Sequence, residues 1–144
     1  MLHRAAILLL LCLALPFGQA AERTGAAVTV HPLATKAAQK VFQQGGNAVD
    51  AAVAAALTLG VVDGFNSGIG GGCFMLIRKP DGTFSAIDGR ETAPAAASRD
   101  MYLRGGKANP ELSRTGALAI GVPGALAAYD LAIREHGNLS LAEH

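Results

Sequence analysis

The chain has 144 residues, 51% hydrophobic and 16% charged, with a mean hydropathy of +0.32. That is enough for one domain of ordinary size, too apolar for a disordered chain and too lightly charged for a solvated helical array. Twelve Lys and Arg face 11 Asp and Glu, and aromatics make up 5%, so the basic footprint and the stacking platforms of nucleic-acid binding are both missing.

His3 and Arg4 precede an apolar run, Ala5 to Leu15, that ends at Pro16 and is followed by Phe17-Gly18-Gln19-Ala20. A short basic start, an apolar stretch of this length and a small-x-small end predict a secretory signal peptide over residues 1–20, cleaved after Ala20. The run is short for a stable membrane span, which takes about 20 apolar residues; an uncleaved anchor is the alternative. The mature chain is expected to be periplasmic or secreted. Loss of Arg4 leaves 11 basic and 11 acidic side chains, and loss of Cys12 leaves Cys73, which reads as a small buried hydrophobe.

Within residues 21–144, Ala26 to Val30 can form an opening strand. Thr35 is placed as the cap of a helix running to Gln44, stopped by Gly45-Gly46. Asn47 caps a second helix, Ala48 to about Val62, with Asp50 in its first turn. Its Ala-rich sequence predicts burial on nearly all sides. The glycine-rich loop Asn66 to Gly72 feeds Cys73 to Ile77, a continuous apolar run expected to be a strand buried on both faces. Pro80-Asp81-Gly82 turns the chain back into a second strand, Thr83 to Ile87. Residues 95–115 read as irregular, with a helical turn near Asp100 to Leu103. A last helix spans Ala125 to Glu135, closed by His136-Gly137, and Leu139-Ser140-Leu141 opens a further element.

Most motifs carry little chemistry. Gly70-Gly71-Gly72 follows a helix and precedes a strand, the reverse of a phosphate cradle, so the glycines suit a backbone passing close to a ligand or another segment. His3, His31, His136 and His144 lack metal-ligand spacing, and no metal or other cofactor is expected. Ser67 lacks the context of a nucleophile elbow. Arg90 stands out, just past the predicted hairpin, where a rigid scaffold hands over to a loop. Its guanidinium could grip a carboxylate through two parallel hydrogen bonds, or pair with Asp88 or Glu91; the spacing leaves both open.

Three blocks, Gly45-Gly-Asn-Ala-Val-Asp-Ala-Ala-Val-Ala54, Ser67-Gly-Ile-Gly-Gly-Gly-Cys-Phe-Met-Leu76 and Ile87-Asp-Gly-Arg-Glu-Thr-Ala-Pro-Ala95, resemble the large-subunit region of gamma-glutamyltransferases (gamma-glutamyltranspeptidases). Gly121-Val-Pro-Gly124, with the helix after it and His136-Gly137, fits the same family in the same order, and the similarity covers nearly all of residues 28–140. The resemblance implies an α/β (α+β) N-terminal-nucleophile hydrolase fold, an αββα sandwich, incomplete in this chain. It implies a precursor that cuts itself into a large and a small subunit. The new N-terminal Thr of the small subunit attacks the gamma-glutamyl amide of glutathione or a related compound, and the acyl-enzyme passes to water, an amino acid or a peptide. The substrate α-carboxylate is then held by Arg90.

Family members are several times longer, and the nucleophilic Thr belongs to the portion beyond these residues. The chain is therefore expected to be the N-terminal part of such a precursor, with no catalytic residue of its own. Its partners would be a gamma-glutamyl substrate such as glutathione and the remainder of the precursor, with neither nucleic acid nor a stable membrane span. A non-catalytic secreted chain, or a relative acting as an acylase on glutaryl-type side chains, are the alternatives. Cys73 stands where many relatives carry a fourth Gly, and Gly89 where others carry a larger residue.

Overall fold

The computed structural model describes residues 25–144, so the expected signal segment over 1–20 lies outside the described residues. Two helices come first: α1, Pro32–Gln43, and α2, Ala48–Val62. A hairpin follows, β1, Cys73–Arg78, and β2, Phe84–Gly89; then a short ribbon, β3, Leu103–Arg104, and β4, Lys107–Ala108; and finally α3, Ala125–His136. No described helix is long and apolar enough to cross a membrane.

Helix α1 starts at Pro32, four residues earlier than the sequence suggests. His31 is the N-cap, its ring Nδ1 accepting from Leu33 N at 3.2 Å, and Pro32 occupies the first helical position, where a missing N–H costs nothing. Thr35 is thus an interior residue, its hydroxyl 2.8 Å from that of Thr29. Ala34, Ala38 and Val41 form the buried stripe. At the other end Gly45 takes φ +90°, and the amides of Gly45 and Gly46 donate to Phe42 O and Val41 O, the paired bonds that close a helix C-terminus.

Helix α2 begins where expected. Asn47 accepts from Val49 N and Asp50 N, while Asp50 accepts from Asn47 N at 2.7 Å, a reciprocal capping box. Asp50 does more than cap, because its carboxylate is fully buried and also accepts from Asn138 N at 3.0 Å and Leu139 N at 3.3 Å. The buried His144 ring approaches it too, Nε2 lying 3.8 Å from Oδ1. One carboxylate thereby joins the start of α2 to the chain leaving α3.

Alanines let the helices approach closely. Ala34, Ala38 and Val41 of α1 pack on Ala51, Ala54 and Ala55 of α2. The opposite side of α2 meets α3: Val53 lies among Ala125, Tyr129 and Ile133, and Val49 among Ile87, Ala128 and Ala132. Burial fades along α2, which is half-buried beyond Ala55 and open at Val61, 84% exposed. The expected burial on nearly all sides is not met: α1 and α3 cover two faces of the first half, where Ala48 and Ala52 stay exposed, and the second half is covered less.

The hairpin is antiparallel, pairing Cys73 with Gly89 through to Arg78 with Phe84, so β2 begins and ends slightly later than predicted. Asp81 holds the turn, its carboxylate accepting from both the amide and the hydroxyl of Thr83, which lowers its pKa. Cys73, Met75 and Ile77 point to the helices, whereas Phe74 is 67% and Leu76 73% exposed. The doubly buried strand anticipated from the apolar run has only one face covered by the described residues. Ala26 to Val30 joins no sheet, leaving Val28 and Val30 open, so the opening strand is not formed among these residues.

Removing the Asp50 carboxylate leaves the part-buried amides of Asn47, Asn138 and Leu139 without their acceptor. Asp50→Ala is expected to cost about 3 kcal/mol, combining a lost cap with unsatisfied donors. A fall in the urea midpoint, followed by pulse proteolysis, is the check; a midpoint within error of the parent chain would contradict this account.

Candidate functional site

Three glycines decide how the hairpin, the glycine-rich loop and α3 come together. A Cβ on Gly72 would lie 2.6 Å from Gly89 O and 2.9 Å from Arg90 Cα; one on Gly89 would lie 2.5 Å from Ala128 Cβ and 3.1 Å from Cys73 Sγ. A Cβ on Gly124 would run into Gly89 O and sit 2.9 Å from Arg90 O. At such distances backbone meets backbone, and no side chain fits between. Helix α3 has no side-chain cap; instead Gly124 N and Ala125 N both donate to Gly71 O at 3.1 Å. The loop carbonyl supplies the acceptor that a Ser or Asp side chain would otherwise provide.

This junction fixes the segment after β2. Thr92 and Val122 exchange amide bonds of 3.2 and 2.8 Å, an isolated bridge that ties the segment to the chain entering α3. Between strand end and bridge sit Arg90 and Glu91. Asp88 Oδ1 accepts from the backbone N of Arg90 at 2.9 Å, so this carboxylate is spent on the chain turn and not on the guanidinium. The Arg90 side chain is 69% exposed, its Nε 3.8 Å from Glu91 Oε2, and its Cζ lies 5.9 Å from the centre of the Phe74 ring. Its terminal nitrogens make no hydrogen bond among the described residues. Of the two readings that the spacing left open, pairing with Glu91 is present as a loose ion pair through Nε, pairing with Asp88 is absent, and the terminal nitrogens keep the geometry to meet a carboxylate.

An open cleft of about 500 Å³ lies beside this segment, lined by the loop from Asn66 to Gly72 and by Cys73, Glu91 and Tyr129, among others. Burial pushes the Cys73 thiol up from its ordinary pKa, and burial together with the neighbouring Cys73 does the same for Tyr129. Both stay protonated at neutral pH, so neither offers an anionic nucleophile. Among the described residues no three His, Cys, Asp or Glu side chains group to hold a metal ion. The three described histidines make other contacts: His31 caps α1, His136 Nε2 lies 3.2 Å from Ser85 Oγ, and His144 packs by Asp50.

Sequence reading located Arg90 but missed Phe74 beside it. The available signal was parity: residues 84, 86 and 88 share one face of β2, and Arg90 continues that row next to the residue paired with Asp88, which is Phe74.

A methyl group at the junction tests its tightness. Gly124→Ala is expected to cost about 1–3 kcal/mol through overpacking and to open the bridge, so that hydrogen exchange quickens at the Thr92 and Val122 amides. Gly68→Ala, where a Cβ meets nothing within 4 Å, serves as the neutral control.

Comparison with known proteins places this arrangement. Residues 34–144 match the gamma-glutamyltranspeptidase family. The chain is 43% identical over 117 residues to glutathione hydrolase proenzyme 1 of Schizosaccharomyces pombe, covering 81% of this chain and 18% of that protein. It is 42% identical over 120 residues to the glutathione hydrolase proenzyme of Escherichia coli, covering 83% and 21%. Its backbone matches the crystal structure of Helicobacter pylori gamma-glutamyltranspeptidase with a TM-score of 0.79 at 42% identity, covering 83% of this chain and 34% of that one. The chain thus spans about a fifth of the length of these curated relatives. Its mixed helices and hairpin form part of the α/β fold of the N-terminal-nucleophile hydrolases, and with a match running from residue 34 to 144 the chain belongs to the gamma-glutamyltranspeptidase family.

Proposed function

We propose that residues 21–144 are the N-terminal portion of a secreted gamma-glutamyltransferase, or glutathione hydrolase, and that Arg90 holds the α-carboxylate of its gamma-glutamyl substrate. The observation that carries this reading is the state of Arg90 in a chain of this family. Its guanidinium is mostly exposed at the end of the hairpin, loosely ion-paired with Glu91 through Nε at 3.8 Å, and its terminal nitrogens have no hydrogen bond among the described residues. A planar fork in that state matches a carboxylate through two parallel charge-assisted bonds. The names of the relatives, glutathione hydrolase proenzymes, support both the substrate class and a precursor that matures by cleavage.

In this reading the chain binds and orients, while the reaction is completed by the remainder of the precursor. Arg90 anchors the glutamyl end of the substrate. The small subunit brings an N-terminal Thr whose hydroxyl attacks the gamma-glutamyl amide, with its own α-amine as base. The amide nitrogen leaves with a proton, and the acyl group passes to water, an amino acid or a peptide. The signal segment at 1–20 would deliver the precursor to the periplasm or the exterior.

Two outcomes follow. The purified 144-residue chain by itself should not turn over a gamma-glutamyl anilide, since positioning without a nucleophile breaks no amide. In the full-length precursor, Arg90→Lys keeps the charge but loses the fork, and should raise KM about 10- to 100-fold with kcat little changed, because the carboxylate is bound alike in ground and transition states. Self-cleavage should persist. A variant that self-processes and retains the parent KM would show that Arg90 serves structure alone.

A further inference from the structure

The bare face of the hairpin has an ordered row of side chains. Phe74 and Leu76 of β1 stand opposite Asp88 and Ala86 of β2, and Phe84 lies opposite Arg78. Arg90 continues the β2 row past the strand end, and its guanidinium comes back over Phe74, Cζ lying 5.9 Å from the ring centre. Three contacts therefore act on this one residue. Asp88 takes the backbone amide and sets the turn; Glu91 draws Nε to one side; the Phe74 ring supports the cation from below. Nothing among the described residues hydrogen-bonds the terminal nitrogens.

We propose that Phe74 is a positioning residue for Arg90: its ring holds the guanidinium as a pre-ordered fork, so that the terminal nitrogens face the carboxylate of the substrate. This rests on the carboxylate role of Arg90 given above. The physical ground is the conformational freedom of a long side chain. An exposed Arg samples many rotamers, and ordering it at the moment of binding weakens affinity. An aromatic face within about 6 Å attracts the cation and restricts those rotamers beforehand, while leaving the in-plane N–H groups free to donate.

The test uses the full-length precursor and steady-state kinetics with a gamma-glutamyl anilide. Phe74→Leu should raise KM about two- to five-fold, the size of an exposed cation–aromatic contact, with kcat and self-cleavage unchanged. Phe74→Tyr should restore the parent KM. In an Arg90→Gln background, Phe74→Leu should add nothing, because its effect passes through Arg90. If Arg90→Lys raises KM while Phe74→Leu leaves it unchanged, the positioning role is overturned and the carboxylate role stands. If Arg90→Lys also leaves KM unchanged, the carboxylate role falls and this inference with it. An equal effect of Phe74→Leu with and without Arg90 overturns it as well, since Phe74 then acts by packing. Should Phe74→Leu fail to self-process, Phe74→Met is scored in the same way; failure of both while Phe74→Tyr matures assigns Phe74 a purely structural part.

Discussion

Close backbone approach is the constraint on which the rest of this structure depends. Where β1 begins, β2 ends and α3 starts, Gly72, Gly89 and Gly124 allow three chain segments to meet at distances that leave no room for a Cβ. Such contact is incompatible with ordinary side chains, and close packing then leaves neighbouring atoms little freedom to relax. Two consequences follow from it. The Gly71 carbonyl reaches the first amides of α3 and satisfies them, and the peptide carrying Arg90 is held between the hairpin and the Thr92–Val122 bridge. A long, flexible side chain thereby starts from a well-defined backbone.

Cys73 and Gly89 share this junction as cross-strand partners. Their Cα positions face each other, and the Cys73 sulfur lies 3.1 Å from where a Cβ of residue 89 would be. The sulfur thus takes part of the volume that a larger residue at 89 would need, with Ala128 Cβ taking the rest. The Cys73 side chain and the bare position at Gly89 are thus complementary parts of one packing arrangement.

Opposite the glycine junction, Asp50 performs a comparable task with a charge. A buried carboxylate is tolerated only when its lone pairs are used, and here backbone amides from both ends of the helical unit converge on it. The helices thus have a polar fastening at one end and a backbone fastening at the other, with alanine-rich contacts between. Small side chains bring little apolar area each, so the closeness they permit is what makes their packing effective.

The features legible in the sequence are those settled within a few residues. Asn47 and Asp50 announce the α2 cap, Gly45-Gly46 the end of α1, Pro80-Asp81-Gly82 the hairpin turn, and Arg90 its place at the strand end, because caps and turns are closed by hydrogen bonds to residues two to four positions away. His31-Pro32 carries a start signal of the same local kind, and a proline at the first helical position outweighs Thr35 as the mark of the helix start. Only the tertiary structure decided what needs a distant partner. Burial of one face of β1, the failure of Ala26–Val30 to join a sheet, the second role of Asp50 and the Phe74 ring beneath Arg90 all depend on which segment lies alongside. An apolar run states that a strand can be covered; whether it is covered is settled by neighbours far away in the chain, which local periodicity does not encode.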